Sequence, residues 1–462
     1  MQRTILLSTA AAALALGVAA PAAAQNATAP RTVTITNPVP LTVETYRLAN
    51  GLNVVLSRDT SVPVVAVNVW YHVGSGNEVA GRTGFAHLFE HMMFQGSANV
   101  GDDQHFRLIS EAGGTLNGTT NSDRTNYFEA VPSNFLERVL WQEADRMGFL
   151  LNAMTQEKLD NQRSVVQNER RQNYDNAPYG LATETISRLL FPAGHPYSWT
   201  TIGSLTDLNA ASMEDVSGFF RQYYAPNNAS LAVVGDFDPA QARRWIERYF
   251  GSIPSGPPIT RPTPQPVRLA SEVRHVLEDR VQLPRLYVVW PSPAQFQPGD
   301  ADLNVLGYIL AGDRSSRLHQ RLVLRDQLAQ FVGANQGGRS LAGQFGITVQ
   351  ARPGVDLDRV LAIVDEEVAR LRAEGPTQRE VERARNNLEV SFVQRMQTTL
   401  GRADALNSYA TFNGDPAFIQ QDYARYASVT TGTVKQSLDW LGAGRIVLSV
   451  VPQGQTQLQA SR

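Results

Sequence analysis

Three residues in one short stretch could bind a metal ion and carry out acid–base chemistry. His87 and His91 are four positions apart, and Glu90 lies between them. If the stretch is helical, both imidazoles project from one face, because residues four apart lie one above the other on a helix. Two neutral imidazoles in this arrangement suit Zn²⁺. Glu90 lies close to the same face, where its carboxylate could take a proton from a water beside the metal without being a ligand.

A zinc site that performs chemistry usually has three protein ligands, so one more side chain is needed. A helix is predicted over about residues 155–173, and Glu169 lies at the edge of the face that this helix would bury. By spacing alone, Glu143 and Glu157 compete with Glu169 for this role. The residues themselves therefore leave the third ligand open.

The composition indicates an ordinary globular protein. With 462 residues, the chain is too long for one hydrophobic core and is expected to form two or more domains. A formal net charge of −2 predicts neither a nucleic acid partner nor an anionic membrane partner. The absence of cysteine excludes disulfides, thiolate metal ligands and a cysteine nucleophile.

The first 24 residues have the features of a signal peptide. Arg3 gives a positive start, residues 5–20 form an apolar run, and three alanines at 22–24 form a small-residue cleavage site. No later stretch of about 18 apolar residues is present to span a bilayer. The sequence predicts export, removal of residues 1–24 and a mature protein in an extracytoplasmic compartment, most simply a bacterial periplasm.

Local patterns predict a strand-rich start that surrounds the histidine motif. Asn50-Gly51 between two alternating segments predicts a β-hairpin. A strand is predicted at 64–73, the motif helix at about 84–95, and a pair of strands at 115–121 and 125–131.

The second half repeats the plan of the first. Residues 136–140 resemble residues 357–361, and residues 230–234 resemble residues 446–450, in the same order. The second copy has no H-x-x-E-H, and Ser391 falls where Glu169 lies in the first. The expected fold is α+β, with two related domains that each have a mostly antiparallel sheet and helices packed on one face.

The domain boundaries are set by composition. Six prolines between 254 and 266 predict an extended linker. The predicted division is a flexible leader at 25–42, an N-terminal zinc-binding domain at 43–250, a proline-rich linker at 251–268 and a related C-terminal domain without a metal site at 269–462.

Several motifs together resemble one known family. They are GFAHLFEHMMF at 84–94, GGTLNG at 113–118, the Val-Val-x-x-Glu that ends at Glu169, His-Pro-Tyr at 195–197 and Gly-Asp at 235–236. Over about residues 45–453 the sequence resembles the pitrilysin, insulysin and mitochondrial processing peptidase family of zinc endopeptidases. The resemblance implies His87, His91 and Glu169 as ligands of one Zn²⁺ per chain, and Glu90 as the general base.

The resemblance also implies how a substrate would bind. The strand that contains Asn117, Gly118 and Thr119 matches an edge strand of the family, to which an extended peptide adds as a further strand. Arg325 matches an arginine of the family's second half that holds the substrate. The local departure near the metal is Gln162, where many members have an acid seven residues before the third ligand.

A second departure concerns the second half. A tyrosine normally follows the matched arginine, but here that position is Gln330 or Phe331. The sequence thus predicts the zinc-bearing subunit of a heterodimer, in which a homologous partner supplies the Arg/Tyr pair. The alternatives are a homodimer or monomer with another donor, a non-catalytic scaffold or assembly subunit of the same fold, and a zinc-stabilised structural module.

Overall fold

Two β-sheets organise the chain. This computed structural model describes residues 27–263 and 266–461, so the predicted signal peptide lies outside the described residues. The first sheet has the order β1-β2-β3-β7-β4-β6-β5, and the second has the order β10-β11-β9-β12-β8. Neighbouring strands are antiparallel except for the pairs β3–β7 and β8–β12. The strands are β1 Thr28–Ile35, β2 Leu41–Arg47, β3 Asn53–Arg58, β4 Val64–Tyr71, β5 Thr115–Thr120, β6 Thr125–Pro132, β7 Ala229–Gly235, β8 Val273–Asp279, β9 Arg285–Ser292, β10 Ala329–Gly338, β11 Gly343–Ala351 and β12 Ile446–Pro452.

Helices pack against both sheets, and the expected architecture of two related sheet-and-helix units is confirmed. The last turn of α4 continues as a π-helical segment, Arg171–Asp175, and a second such segment is His319–Arg325. The helices are α1 Phe85–Met92, α2 Gln104–Glu111, α3 Leu136–Phe149, α4 Gln156–Arg170, α5 Ala182–Leu190, α6 Leu205–Ala210, α7 Met213–Tyr223, α8 Pro239–Phe250, α9 Asp300–Ala311, α10 Leu357–Glu374, α11 Gln378–Arg395, α12 Thr399–Asn413, α13 Phe418–Ala427 and α14 Thr431–Ser437. In the described parts of the chain, no helix combines the length and apolarity needed to cross a membrane.

Each half also lends one helix to the sheet of the other. Helix α12 packs on β4 and β7 of the first sheet, and Leu406 lies fully buried there. Helix α5 packs on β9 and β12 of the second sheet, with Ile186 buried against it. Strand β7 is therefore covered on both faces and all seven of its residues are buried, which explains why Ser230 is the one polar residue in its sequence.

The predicted flexible leader differs from the structure. Residues 28–35 form β1, which pairs antiparallel with β2 along the edge of the first sheet. All four residues from Thr32 to Ile35 are β-branched, and threonine alternates with an apolar residue. Such a pattern favours a strand. Ile35 is fully buried in the cluster that includes α12. The threonine and proline content predicts flexibility, but the segment is held by its pairing with β2 and by the burial of Ile35.

An ion pair joins the halves where α12 begins. The Arg402 guanidinium donates to Asp59 at 2.6 Å, and the two side chains are 11% and 26% exposed. This hydrogen bond, with one from the Ser61 backbone, lowers the pKa of Asp59 from 3.8 to about 2. Because the folded pKa is depressed, the resulting stability is present above pH 3.8 and is lost as the pH falls towards 2.

We expect Asp59→Asn to lower the free energy of unfolding by about 1 kcal/mol at pH 7, since partial exposure screens the pair. The difference from wild type should shrink as the pH falls from 4 to 2. Chemical denaturation across that range measures it. Glu111→Gln is the matched control, because its pair with Arg107 is 62% exposed on both sides and should contribute almost nothing. A difference for Asp59→Asn that does not change with pH would contradict this account.

Candidate metal centre

Helix α1 presents the three motif residues on one side and buries the other. Phe85, Leu88 and Phe89 lie in the core of the first half. The intervening positions of the helix carry His87, Glu90 and His91, which therefore face away from that core and line a cavity of about 320 Å³. The helix predicted from the sequence is present, although it ends at Met92.

The start of α1 is fixed by an acid that the sequence analysis did not identify. The buried Glu78 carboxylate accepts hydrogen bonds from the backbone N–H groups of Gly84 and Ala86, at 3.1 and 2.8 Å. Burial raises the pKa of Glu78 to about 8. Gly84 has φ +88°, and a Cβ there would lie 2.7 Å from the Ile202 carbonyl oxygen. The sequence feature that could have identified Glu78 is an acidic residue a few positions before the glycine that precedes the motif helix.

Helix α4 brings the third candidate ligand to the two histidines. The Glu169 Oε2 atom lies 3.5 Å from His87 Nε2 and 3.6 Å from His91 Nε2. Ligands about 2.1 Å from Zn²⁺ in a tetrahedral arrangement lie about 3.4 Å from one another. The donor atoms of the three side chains all lie within 4.8 Å of one another. Two imidazole nitrogens and one carboxylate oxygen at these separations fit Zn²⁺ with a fourth position left open.

The two competing acids lie elsewhere. Glu143 is buried and pairs with the Arg146 guanidinium, which also binds Glu129. Glu157 lies exposed in the first turn of α4. Among the acids weighed from the sequence, only Glu169 is brought to the histidines.

The electrostatics of the site suit metal binding by a neutral imidazole. Burial, with a smaller effect from the neighbouring His91, lowers the pKa of His87 to about 4. His87 is therefore uncharged at neutral pH and can offer a nitrogen lone pair to a metal ion. The two histidine rings are nearly perpendicular, at 85°, with centroids 4.8 Å apart.

Glu90 is held beside the cluster by strand β5. Its Oε2 atom accepts a hydrogen bond from the Thr120 hydroxyl at 2.5 Å. Burial raises the pKa of Glu90 to about 7, while the Thr120 hydrogen bond and the charge of Arg124 act in the opposite direction. A divalent cation nearby would lower this pKa, because it favours the charged carboxylate. Glu90 is thus placed next to the three donor atoms without being one of them.

Strand β5 has an open side. It ends the first sheet, so its outer side pairs with no other strand of the described chain. The Asn121 N–H donates to the Arg124 carbonyl, so the backbone groups of Asn121 point towards β6. Backbone groups of successive residues in a strand point in opposite directions, so in the observed register those of Leu116, Gly118 and Thr120 point away from β6. The Gly118 N–H is instead held by its neighbour's side chain, Asn117 Oδ1, at 2.9 Å.

Two sequence models of one family match the chain. The model described as Insulinase (Peptidase family M16) matches residues 53–192, and the model described as Peptidase M16 inactive domain matches residues 210–388. Together they span more than half of the sequence. The chain belongs to peptidase family M16. The motif helix, the edge strand and Glu169 all lie in the part that matches the first model.

Similar proteins include named zinc proteases. The chain is 28% identical over 374 residues to the zinc protease PqqE of Helicobacter pylori, covering 80% of this chain and 84% of that protein. It is 23% identical over 404 residues to a probable mitochondrial-processing peptidase subunit beta of Arabidopsis thaliana, covering 84% and 74%. The crystal structure of a protease from Helicobacter pylori has the same fold, with a TM-score of 0.83, 24% identity and coverage of 91% and 100%.

Only some of the substrate-binding residues that were inferred from the family resemblance lie beside the three candidate metal ligands. Asn117 lines the cavity, and Gly118 packs against Glu90. Thr119 faces the opposite side of the sheet, where its hydroxyl donates to Asn126, so Thr120 takes the place beside the base. Gln162 also lines the cavity.

Arg325 lies apart from this cavity, which is lined only by residues of the first half. Its side chain is 62% exposed and pairs with the adjacent Asp326. Phe331 is 56% exposed on the edge strand β10. The predicted role of Arg325 in holding a substrate stays a prediction. The cavity-lining residues are His87, Glu90, His91, Phe94, Gln95, Phe106, Asn117, Gln162 and Glu169.

Gly118 leaves room for the base. A Cβ at this position would lie 3.2 Å from both Cγ and Oε1 of Glu90 and 3.1 Å from the ring of Phe94. We therefore expect Gly118→Ala to displace the Glu90 carboxylate, leave zinc binding intact and lower kcat of any hydrolysis about 10-fold or more. Kinetics with parallel metal analysis measures it. Gly218→Ala is the matched control, because no neighbouring atom lies within 4 Å of a Cβ built at this position. Gly113→Ala is unsuitable, because a φ of +75° would strain an alanine there. Unchanged kcat in Gly118→Ala would contradict the proposed contact.

Proposed function

We propose that this chain is a zinc-dependent endopeptidase that hydrolyses extended peptides or unfolded polypeptide segments. The observation that carries the proposal is the convergence of His87, His91 and Glu169 at ligand spacing with Glu90 beside them. Its M16 relatives named zinc proteases support the same reading. A purely structural zinc would give no role to the partly buried Glu90 carboxylate next to the metal ligands.

Each side chain has a distinct task. His87, His91 and Glu169 would hold Zn²⁺, which when bound supplies a Lewis acid that polarises a carbonyl and acidifies water. Glu90 takes the proton from the attacking water and passes it to the leaving amine. The Thr120 hydroxyl fixes one oxygen of Glu90, which leaves the other oxygen to act as the base.

The edge strand would present the substrate. A peptide that pairs with the outward groups of Leu116, Gly118 and Thr120 runs past Glu90 in an extended conformation. Its carbonyl would replace Asn117 Oδ1 on the Gly118 N–H, which frees the Asn117 amide to bind the peptide. Because main-chain pairing tolerates many side chains, the substrate class is extended peptide and not one sequence.

Metal exchange tests this function directly. With a homologous partner present, a chelator should remove zinc and abolish cleavage of an internally quenched peptide, and stoichiometric zinc should restore it. The scaffold alternative predicts no cleavage in any metal state, with or without a homologous partner. Folding must be checked by circular dichroism at each step, so that lost activity is not mistaken for unfolding.

We further propose that the active species is a heterodimer. The second half matches a model described as an inactive domain, and it provides Gln330 and Phe331 where the family has a tyrosine. One relative is itself named a subunit. A homologous partner without H-x-x-E-H would supply the Arg/Tyr pair.

The partner proposal predicts that the purified chain alone has negligible turnover. Adding the homologous partner should restore turnover, and changing that partner's tyrosine to phenylalanine should remove most of the gain. Light scattering of the assayed sample identifies the species. Full turnover by a homogeneous monomer would rule out the heterodimer requirement.

We propose the periplasm as the place of action. The support is the charged, apolar and small-residue order of the first 24 residues. Fractionation of cells that express the full chain, followed by N-terminal sequencing of the mature protein, tests both export and cleavage after Ala24.

A further inference from the structure

A turn from the second half contacts the first half at the loop that follows strand β5. The turn joins β10 to β11 and carries Arg339. The Arg339 guanidinium lies over the ring of Tyr197 at 4.0 Å and over that of Phe191 at 5.0 Å. It also donates to the Ser122 hydroxyl at 3.3 Å. The half without a metal site therefore contacts the loop that follows strand β5.

The Tyr197 phenol is the centre of this junction. It is fully buried, donates to Asp123 Oδ1 and accepts from the Leu341 backbone N–H at 3.0 Å. The other oxygen of Asp123 accepts from the Ser340 N–H at 3.0 Å. One tyrosine and one aspartate thus join two backbone groups of the second half to the β5–β6 turn.

That turn is also held from the side of the motif helix. The N–H groups of Ser75 and Gly76 donate to the carbonyls of Asn121 and Ser122, at 3.0 and 2.7 Å. Gly74 approaches so closely that a Cβ there would lie 2.1 Å from the Asn121 oxygen. The segment 121–124 is consequently clamped between the loop that leads to α1 and the turn from the second half.

The clamped turn begins directly after Thr120, which donates to Glu90. A shift of the turn would move the Thr120 hydroxyl and with it the fixed oxygen of the base. We propose that Tyr197 and Asp123, together with the Ser340–Leu341 backbone, are positioning residues for Glu90 that act through Thr120. The inference rests on the proposed peptidase function. It gives the second half a part in the chemistry of the first.

A double-mutant cycle tests the route through Thr120. Under conditions that give wild-type turnover, Tyr197→Phe should lower kcat about 10-fold, as is typical of partners that orient active-site groups, with zinc content unchanged. Thr120→Val should lower kcat by a similar factor. The double variant should be no more than about twofold slower than the slower single variant, because both changes break one path. Multiplying effects would overturn the proposal.

Amide hydrogen exchange of the metal-free protein provides a readout that does not depend on activity. Exchange at residues 120–124 should be about 10-fold faster in Tyr197→Phe than in wild type. Tyr46→Phe is the matched control, because the Tyr46 hydroxyl is buried and has no hydrogen-bond partner among the described residues. Equal exchange in Tyr197→Phe and Tyr46→Phe would overturn the proposal.

If Tyr197→Phe does not fold, Asp123→Ala replaces it, since a methyl group accepts from neither the Tyr197 hydroxyl nor the Ser340 N–H. The same loss of kcat and faster exchange are then expected, and their absence counts against the proposal. A wild-type chain that binds zinc but cleaves nothing even with the homologous partner would contradict the proposed function, whereas the exchange result would still decide whether Tyr197 holds the turn.

Discussion

Replacing Glu90 by glutamine is expected to leave about one zinc per chain and to lower kcat for peptide hydrolysis by about 10²- to 10⁴-fold. The three ligand atoms belong to His87, His91 and Glu169, so the metal should remain. The amide of glutamine is not basic and cannot accept the proton from water. Peptide hydrolysis and elemental analysis of the same preparation measure both quantities.

Glu90→Gln changes the charge of the side chain but hardly its size, so the variant tests the base and not the packing. Glutamine has nearly the volume of glutamate, and its amide oxygen can still accept the Thr120 hydrogen bond, so the local packing should survive. Thr120→Val removes that hydrogen bond and the longer one to the Thr125 hydroxyl, at 3.3 Å, and should have a smaller effect on kcat. Loss of zinc from a folded Glu90→Gln protein would make Glu90 a ligand and overturn the assignment of the base.

Replacing Glu169 by alanine is expected to lower the zinc affinity far more than replacing any other acidic or amide side chain of helix α4. It removes the only carboxylate oxygen within 4.8 Å of both imidazole nitrogens in the described metal cluster. The loss should exceed the roughly 10- to 100-fold typical of groups that only support a ligand. Competition with a chromophoric chelator gives the zinc affinity of each variant.

Two controls on the same helix separate ligation from general electrostatics. Gln162→Ala changes a cavity-lining residue and should weaken zinc binding by less than Glu169→Ala. Glu157→Ala removes an exposed carboxylate of α4 and should leave the affinity unchanged. Equal affinities in the Glu169 and Gln162 variants would show that another acid completes the site.

Much of the site follows from local sequence because its spacing is helical. His87, Glu90 and His91 depend only on α1 being a helix, and the apolar residues between them predict which face is buried. Glu169 could not be chosen by spacing, since Glu143 and Glu157 fitted as well. The choice depends on how α4 packs against α1, and that is a tertiary contact.

The parts that sequence reasoning missed are also tertiary. Glu78 lies outside the helix that it holds, so no periodicity marks it. The sequence of α12 has no clear apolar face, so it does not indicate that the helix packs on the sheet of the other half. The strand at 28–35 had an alternating pattern, yet only burial of Ile35 against that exchanged helix distinguishes it from a flexible segment.

The most direct test of the central claim is hydrolysis in ¹⁸O-labelled water by the zinc-loaded chain, assayed alone and with the homologous partner. Mass spectrometry of an extended peptide should show cleavage products with one ¹⁸O in each new carboxyl group. The products should disappear on zinc removal and in Glu90→Gln. An intact peptide in the presence of stoichiometric zinc and partner, with the protein folded, would contradict the account.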